Sequence, residues 1–234
     1  MKTVVLSLGG SVLVPSLEGH FIGEYAAALR HLSERCRLFV VCGGGGEARR
    51  YIGVARDLGI DQGTADEAGI GVTRLNAMLL AGALGDAAHP RVAMSYTGAL
   101  EAACSGRIVV LGGITPAQTT DAVAAVIAER AGADLIVNAT SVDGIYSADP
   151  RKDRSAVRHE RLTARELLEI IADNRMDAGA NTVIDLVAAK VLERSGIPAL
   201  VIDGTDPLRL IQALEKGEYV GTLISETGLA PIPI

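Results

Sequence analysis

The chain has 234 residues, 49% of them apolar and only 3% aromatic, with no tryptophan. That composition supports one sizeable core of Ala, Val, Ile and Leu and suits helices packed on a parallel sheet. A formal net charge of −6 argues against nucleic acid or an anionic membrane as the main partner, but not against a phosphorylated ligand held by local amides and a few basic side chains. Three cysteines, Cys36, Cys42 and Cys104, form no CxxC pair and leave one over, which points to reduced thiols and a cytoplasmic protein. The opening MKTVVLSLGGS holds too short an apolar run for a signal peptide, and no stretch reads as a membrane span.

In chain order, residues 2–8 form a β-rich run that ends on Gly9, Gly10 and Ser11. Residues 19–35 read as a helix, with Ile22, Ala26, Leu29 and Leu32 at helical spacing. A second strand, LFVVC over 38–42, breaks on Gly43, Gly44, Gly45 and Gly46, and residues 47–58 continue as a helix. The next helix, over 65–84, carries two stripes. Ala68, Val72, Leu75 and Leu79 are its expected core face. Asp66, Gly69, Thr73 and Asn76 make a second, small and hydrogen-bonding face, suited to a ligand or to a close helix neighbour.

Short strands are expected at 91–94 and 107–111, then a helix opening at Thr119, Thr120 and Asp121, then a strand DLIVN at 134–138. The loop ATSVDGIYSADPRKD is long for a plain connection. Thr163 and Glu166 form a capping box for the helix ELLEIIADN. A helix over 182–194, a strand over 199–203, a helix over 207–214 and an edge strand at 221–224 complete the pattern. Strands alternating with helices predict an α/β fold, a three-layer α/β/α sandwich with a mostly parallel central sheet. Residues 1–225 read as a single domain and 226–234 as a loose tail.

Three of these strands end in glycines, and in open α/β sheets ligands sit off the carboxyl ends of strands. Parallel order therefore brings Gly9 and Gly10, the glycines 43–46, and Gly112 with Gly113 to one edge, as a site for a polyphosphate or two phosphate groups. The third cluster, LGGITPAQTTDAVAA, adds a Thr cap and a helix start, whose free amides and dipole favour an anion. An ordinary strand–helix turn with a Thr cap is the alternative. No GxxxxGK[ST] loop occurs. Gly43, Gly45 and Ala48 satisfy GxGxxA, with Asp66 near the distance of a ribose-binding acid. That dinucleotide pattern follows the second strand and leaves the other two loops unexplained. His20, His31, His89 and His159 lack metal-ligand spacing, and no GxSxG elbow appears, so zinc enzymes and hydrolases drop out.

LSLGGSVL, VVCGGGGEARRYI, DEAGIGVTRLNAMLL, GGITPAQTTDAVAA and NATSVDGIYSADPRKD, in this order and spacing, resemble the amino acid kinase superfamily, and within it the archaeal type of uridylate kinase. The resemblance spans about residues 1–224. It implies transfer of the γ-phosphoryl of ATP to UMP in pyrimidine nucleotide biosynthesis, with Mg²⁺ bound through the ATP phosphates and no metal site of the protein's own. It further implies a homohexamer built as a trimer of dimers and inhibited by UTP. On the ATP side it places Gly9, Gly10, Gly45, Arg49, Thr140, Ser141, Tyr146 and Asp149. On the UMP side it places Gly44, Asp66, Ile114, Thr115, Pro116, Ala117, Gln118, Thr119 and Thr120. Arg49 and Asp121 would carry the catalytic charge, Asp121 by orienting a cation or by capping its helix; Lys152 or Lys190 would add to it. Two departures stand out: Ser7 where many superfamily members have lysine, and Asp177 where relatives often have lysine. Isopentenyl phosphate kinases would have a histidine where Arg49 stands. A nucleotide-binding storage or regulatory protein on the same fold is the reading from another class.

Overall fold

The computed structural model describes residues 1–16, 19–148, 150, 153, 155–174, 183–230 and 232–234. Asp149, Lys152 and Asp177 lie outside the described residues. The chain runs β1 (Lys2–Leu8), α1 (Gly10–Leu13), α2 (His20–Ser33), β2 (Cys36–Cys42), α3 (Gly45–Asp57), α4 (Gln62–Leu84), α5 (Tyr96–Ala103) and β3 (Val109–Leu111). It continues through α6 (Thr120–Ala131), β4 (Leu135–Thr140), β5 (Ile145–Tyr146), β6 (Arg158–His159), β7 (Arg161–Leu162), α7 (Ala164–Asn174), α8 (Leu186–Ser195), β8 (Ala199–Asp203), α9 (Pro207–Lys216) and β9 (Gly221–Ile224).

Seven strands form one sheet in the order β3-β2-β1-β4-β8-β9-β7. The five from β3 to β8 are mutually parallel, β9 turns antiparallel to β8, and β7 runs parallel to β9. The strand sequences are apolar almost without a break because both faces are covered. Alternation still sorts them: Val5, Phe39 and Val41 join one core with α5, α6, α7 and α8, while Val4, Leu6, Leu38 and Val40 join the other with α2, α4 and α9. Alanines supply much of the helix side, as in α6, where Ala122, Ala124, Ala125 and Ala128 are all buried. Small side chains let that helix lie close on the strands, which is how a core without tryptophan closes.

The α/β reading and the glycine strand ends on one edge agree with this architecture, and several details do not. β9 is not the sheet's edge: the two-residue β7 pairs outside it, and all four residues of β9 are buried. Residues 91–94 make only an isolated bridge, Ala93 to Leu111, and the helix α5 that follows was missed although Ser95 caps it by accepting from Gly98 N at 3.0 Å. The end of the chain is docked rather than loose. Ile232 and Ile234 pack against the α2–α9 core, and Ile234 N donates to Leu214 O at 2.8 Å.

The largest correction concerns α4. Of its expected core residues Val72 is buried, but Leu75 and Leu79 are 58% and 56% exposed, whereas Gly69, Thr73 and Asn76 are buried. The face that reads as polar goes inside because its hydrogen-bonding groups have backbone partners there. The run Gln62–Ala87 is moreover long and apolar enough, by length and composition, to cross a membrane, with a mean hydropathy of 1.3 over its best window, contrary to the expectation that no stretch would be. In the fold this helix packs against α2, α3 and the β2–β3 side of the sheet.

Candidate active site

The turns after β1 and β2 meet backbone to backbone. A Cβ on Gly10 would lie 2.2 Å from Gly45 N and 2.5 Å from Gly43 O, so no other residue fits there. Gly45 takes φ +62° as it enters α3. Both α1 and α3 start from a glycine, Gly9 and Gly44, with no side-chain cap. These two starts lie together at the carboxyl edge of the sheet; in α1 Val12 N donates to Gly9 O at 2.9 Å, and neither start has a side chain over its first amides. Beside them lies a recess of about 200 Å³ bounded by Ser11, Ser16, Gly46, Glu47, Arg49 and Arg50. Arg50 pairs with Glu47 at 2.8 Å, and Arg49 is exposed. Uncapped amides with an exposed guanidinium suit a polyanion.

The third loop, residues 112–120, is held along its length by side chains from other elements. The Thr73 hydroxyl accepts from Gly113 N at 2.7 Å, and Arg74 donates to Gly113 O at 3.1 Å and to Ile114 O at 3.4 Å. Asp66 Oδ2 accepts from Ala117 N at 2.8 Å, and Tyr96 donates to Gln118 Oε1 at 3.1 Å. Thr119 caps α6 by accepting from Ala122 N at 3.1 Å and donates to Asp185, the cap of α8. Asn76 completes the α4 face by donating to Gly43 O at 2.8 Å. One helix face thus holds both the second and the third glycine turns. Thr115 is exposed, Pro116 half-buried, and Thr120 is the first residue of α6. Ala117 sits at φ +62°, a left-handed conformation that alanine resists.

Asp66 does not cap its helix, the plainer alternative for it: Asp61 does, accepting from Thr64 N at 3.0 Å. Nor does Asp121 cap α6, which Thr119 does, and among the described residues it meets no cation. It accepts from the Ser7 hydroxyl at 2.7 Å and lines a cavity of about 20 Å³ with Ser7, Asn138 and Ile136. Part of Asp121's surface stays open, yet enough protein surrounds the carboxyl that burial pushes it up to about 6. The Ser7 hydrogen bond lowers it, and the charge of Asp185 raises it further.

Across the sheet, Thr140 ends β4 and accepts from Gly204 N at 2.8 Å through its carbonyl. Ser141 opens onto a recess of about 930 Å³ bounded also by Asp143, Asp203, Arg209 and Tyr219. Tyr146 stands on the β5–β6 hairpin, within the stretch whose sequence predicts a long loop. Lys190 is exposed and pairs with Glu193 at 2.8 Å. Thr73, Arg74, Tyr96 and Asp185 were not singled out as holders of the acceptor-side loop. For Thr73 the signal was the polar stripe itself; for the others, contacts distant in sequence leave none.

Two outcomes follow from these contacts. Replacing Ala117 by Gly relieves the left-handed strain, offset by the extra freedom of an unfolded glycine, so Ala117→Gly raises stability by about 0.5–1 kcal/mol; a lower denaturation midpoint would refute it. For Asp121 the sign runs the other way with pH. Its carboxyl binds a proton more tightly folded than unfolded, so folding loses stability as pH rises from about 4 to about 6 and stays lower above. Asp121→Asn is therefore expected to exceed the wild type by roughly 1–3 kcal/mol at pH 8 and by little at pH 4. Equal gains at both pH values would contradict it.

Residues 2–203 match the amino acid kinase family. The sequence is similar to a uridylate kinase of Methanoculleus marisnigri, 66% identical over 233 residues and all of both chains. It is also 53% identical to a uridylate kinase of Haloarcula marismortui, covering 94% of this chain and 97% of that one. The fold resembles the crystal structure of uridylate kinase from Archaeoglobus fulgidus with a TM-score of 0.86 at 48% identity, over 96% of this chain and 100% of that one. Against UMP kinase from Bacillus anthracis the TM-score is 0.79 at 25% identity, over 96% of each. With two thirds of the sequence shared with one relative and the glycine turns gathered on one edge, the chain belongs to the amino acid kinase family.

Proposed function

We propose that this chain transfers the γ-phosphoryl group of ATP to UMP, giving UDP and ADP. The observation that carries the reading is the meeting of uncapped helix starts at Gly9 and Gly44 beside Arg49, in a chain whose relatives are named uridylate kinases. Phosphoryl transfer asks little covalent chemistry of a protein. It needs donor and acceptor held in line and the spreading negative charge neutralised.

In this reading Gly9, Gly10 and Gly45 hold the ATP phosphates through their amides, and Arg49 neutralises the transferring group. Mg²⁺ arrives on the ATP phosphates and supplies further charge there. UMP lies between Gly44 and the loop from Ile114 to Thr120. Asp66 commits Oδ2 to Ala117 N, so Oδ1 takes the ribose hydroxyl. Thr140, Ser141 and Tyr146 serve the adenosine end, where the recess beside Ser141 has room for a nucleoside; Asp149, assigned to the same end by the resemblance, lies outside the described residues. Asp121 acts beneath the loops, paired with Ser7 where a lysine would otherwise stand.

A homohexamer, built as a trimer of dimers, is supported by two exposed apolar stripes: Tyr51, Val54 and Leu58 on α3, and Leu75, Met78 and Leu79 on α4. Inhibition by UTP in a cytoplasmic enzyme with no nucleic-acid or membrane partner completes the proposal.

The test is ADP release from Mg²⁺-ATP with UMP, CMP, dCMP and isopentenyl phosphate as acceptors, and UMP is the expected one. Turnover of another acceptor without UMP would replace the substrate, and none at all would favour a nucleotide-storing protein. In the same assay Arg49→Ala should lower kcat by roughly 10²-fold with a smaller change in KM for ATP, as for a charge felt mainly in the transition state. An unchanged kcat would place the catalytic charge elsewhere.

A further inference from the structure

The hairpin that carries Tyr146 is braced from below. Thr222, buried in β9, accepts from Ile145 N at 2.8 Å and donates to His159 O at 2.5 Å. Tyr146 and Arg158 face each other across the ladder. With the backbone fixed in this way, the half-exposed Tyr146 ring is the part left to be oriented. Its hydroxyl donates to Asp143 Oδ1 at 2.9 Å, and Asp143 Oδ2 accepts from Arg158 Nη1, also at 2.9 Å. The Asp143 hydrogen bond holds the phenol above its ordinary pKa. The Arg158 guanidinium is three-quarters buried, with a side-chain exposure of 25%, so it fixes the carboxylate from the protein side.

We propose that Asp143, backed by Arg158, is a positioning residue for the donor nucleotide, fixing the Tyr146 ring as the surface on which the purine base lies. This rests on the donor-side reading of Tyr146 given above. An untethered tyrosine on a short hairpin samples several rotamers and must be ordered when the base binds. Here the ordering is done beforehand by a charge-assisted hydrogen bond. The phenol has one hydrogen, and Asp143 takes it. Tyr146 therefore offers the base its ring face, which stacks on any purine, rather than a hydrogen-bond donor.

The experiment compares Asp143→Ala, Asp143→Asn, Tyr146→Phe, Tyr146→Ala and the double variant Asp143→Ala with Tyr146→Phe. ATP affinity is read twice, as KM at saturating UMP and as Kd for Mg²⁺-ATP by calorimetry without acceptor, so the result stands whichever acceptor the enzyme uses. Asp143→Ala and Tyr146→Phe should each weaken ATP by about three- to tenfold, the size of one lost hydrogen bond. The double variant should be no weaker than either single one, because both remove the same bond. Asp143→Asn, which keeps an acceptor for the phenol, should restore most of the affinity, and KM for UMP should stay within about twofold throughout. Multiplying effects in the double variant, or an unchanged Asp143→Ala beside a weakened Tyr146→Ala, would overturn the positioning role while leaving Tyr146 on the donor side. An unchanged Tyr146→Ala would overturn the donor-side reading and the proposal with it, but not the turnover of UMP.

Discussion

The site depends on three backbones being brought into contact and kept there. The turns after β1 and β2 touch at Gly10 and Gly45, closer than any Cβ allows. The turn after β3 is equally tight against α4, where a Cβ on Gly112 would lie 2.7 Å from the Thr73 hydroxyl. Such contacts bring peptide groups together without side chains between them, and each buried N–H and C=O then needs a partner. Asp66, Thr73, Arg74 and Asn76 on α4 provide several of these, to Ala117, Gly113, Ile114 and Gly43. The starts of α1 and α3, which carry no side-chain caps, lie beside these contacts.

This arrangement explains why the fold was largely legible and the inside of α4 was not. Alternating apolar strands and helices, with glycines after the strands, follow from local rules that any window of sequence displays. The capping box at Thr163 formed as written, with Glu166 N donating to the Thr163 hydroxyl at 3.2 Å and Thr163 N to Glu166 Oε2 at 2.7 Å. Burial of Thr73 and Asn76 in place of Leu75 and Leu79 is not a local matter. It is decided by glycine turns some 30 and 40 residues away in the chain, whose peptide groups can be satisfied only by a polar helix face. Periodicity names both stripes: Val72 is buried as expected and the small polar face meets a neighbouring helix, as Gly69 does against Ile52, but Leu75 and Leu79, ranked as core by hydrophobicity, are exposed. For the same reason Tyr96 and Asp185 as loop holders leave no trace in sequence spacing.

Ser7 and Asp121 show a different kind of limit. A serine in place of a basic residue reads as a lost charge, and the carboxylate as a group in search of a cation. In the structure the hydroxyl donates to the carboxylate at 2.7 Å, so two strand- and helix-end residues satisfy each other. In the proposed reading the positive charge at the transfer point then falls to the exposed Arg49, to the helix starts and to the ion carried by the nucleotide.

The most direct measurement of whether these turns are the phosphate site is the backbone amide spectrum of ¹⁵N-labelled protein titrated with UMP and a non-hydrolysable ATP analogue with Mg²⁺. The largest amide shifts are expected at Gly9, Gly10, Gly44, Gly45 and Gly46, with the acceptor adding shifts at Gly113 and Ala117. Shifts confined to other parts of the chain, with these amides unmoved by either nucleotide, would contradict the assignment of the glycine turns as the place where phosphoryl transfer occurs.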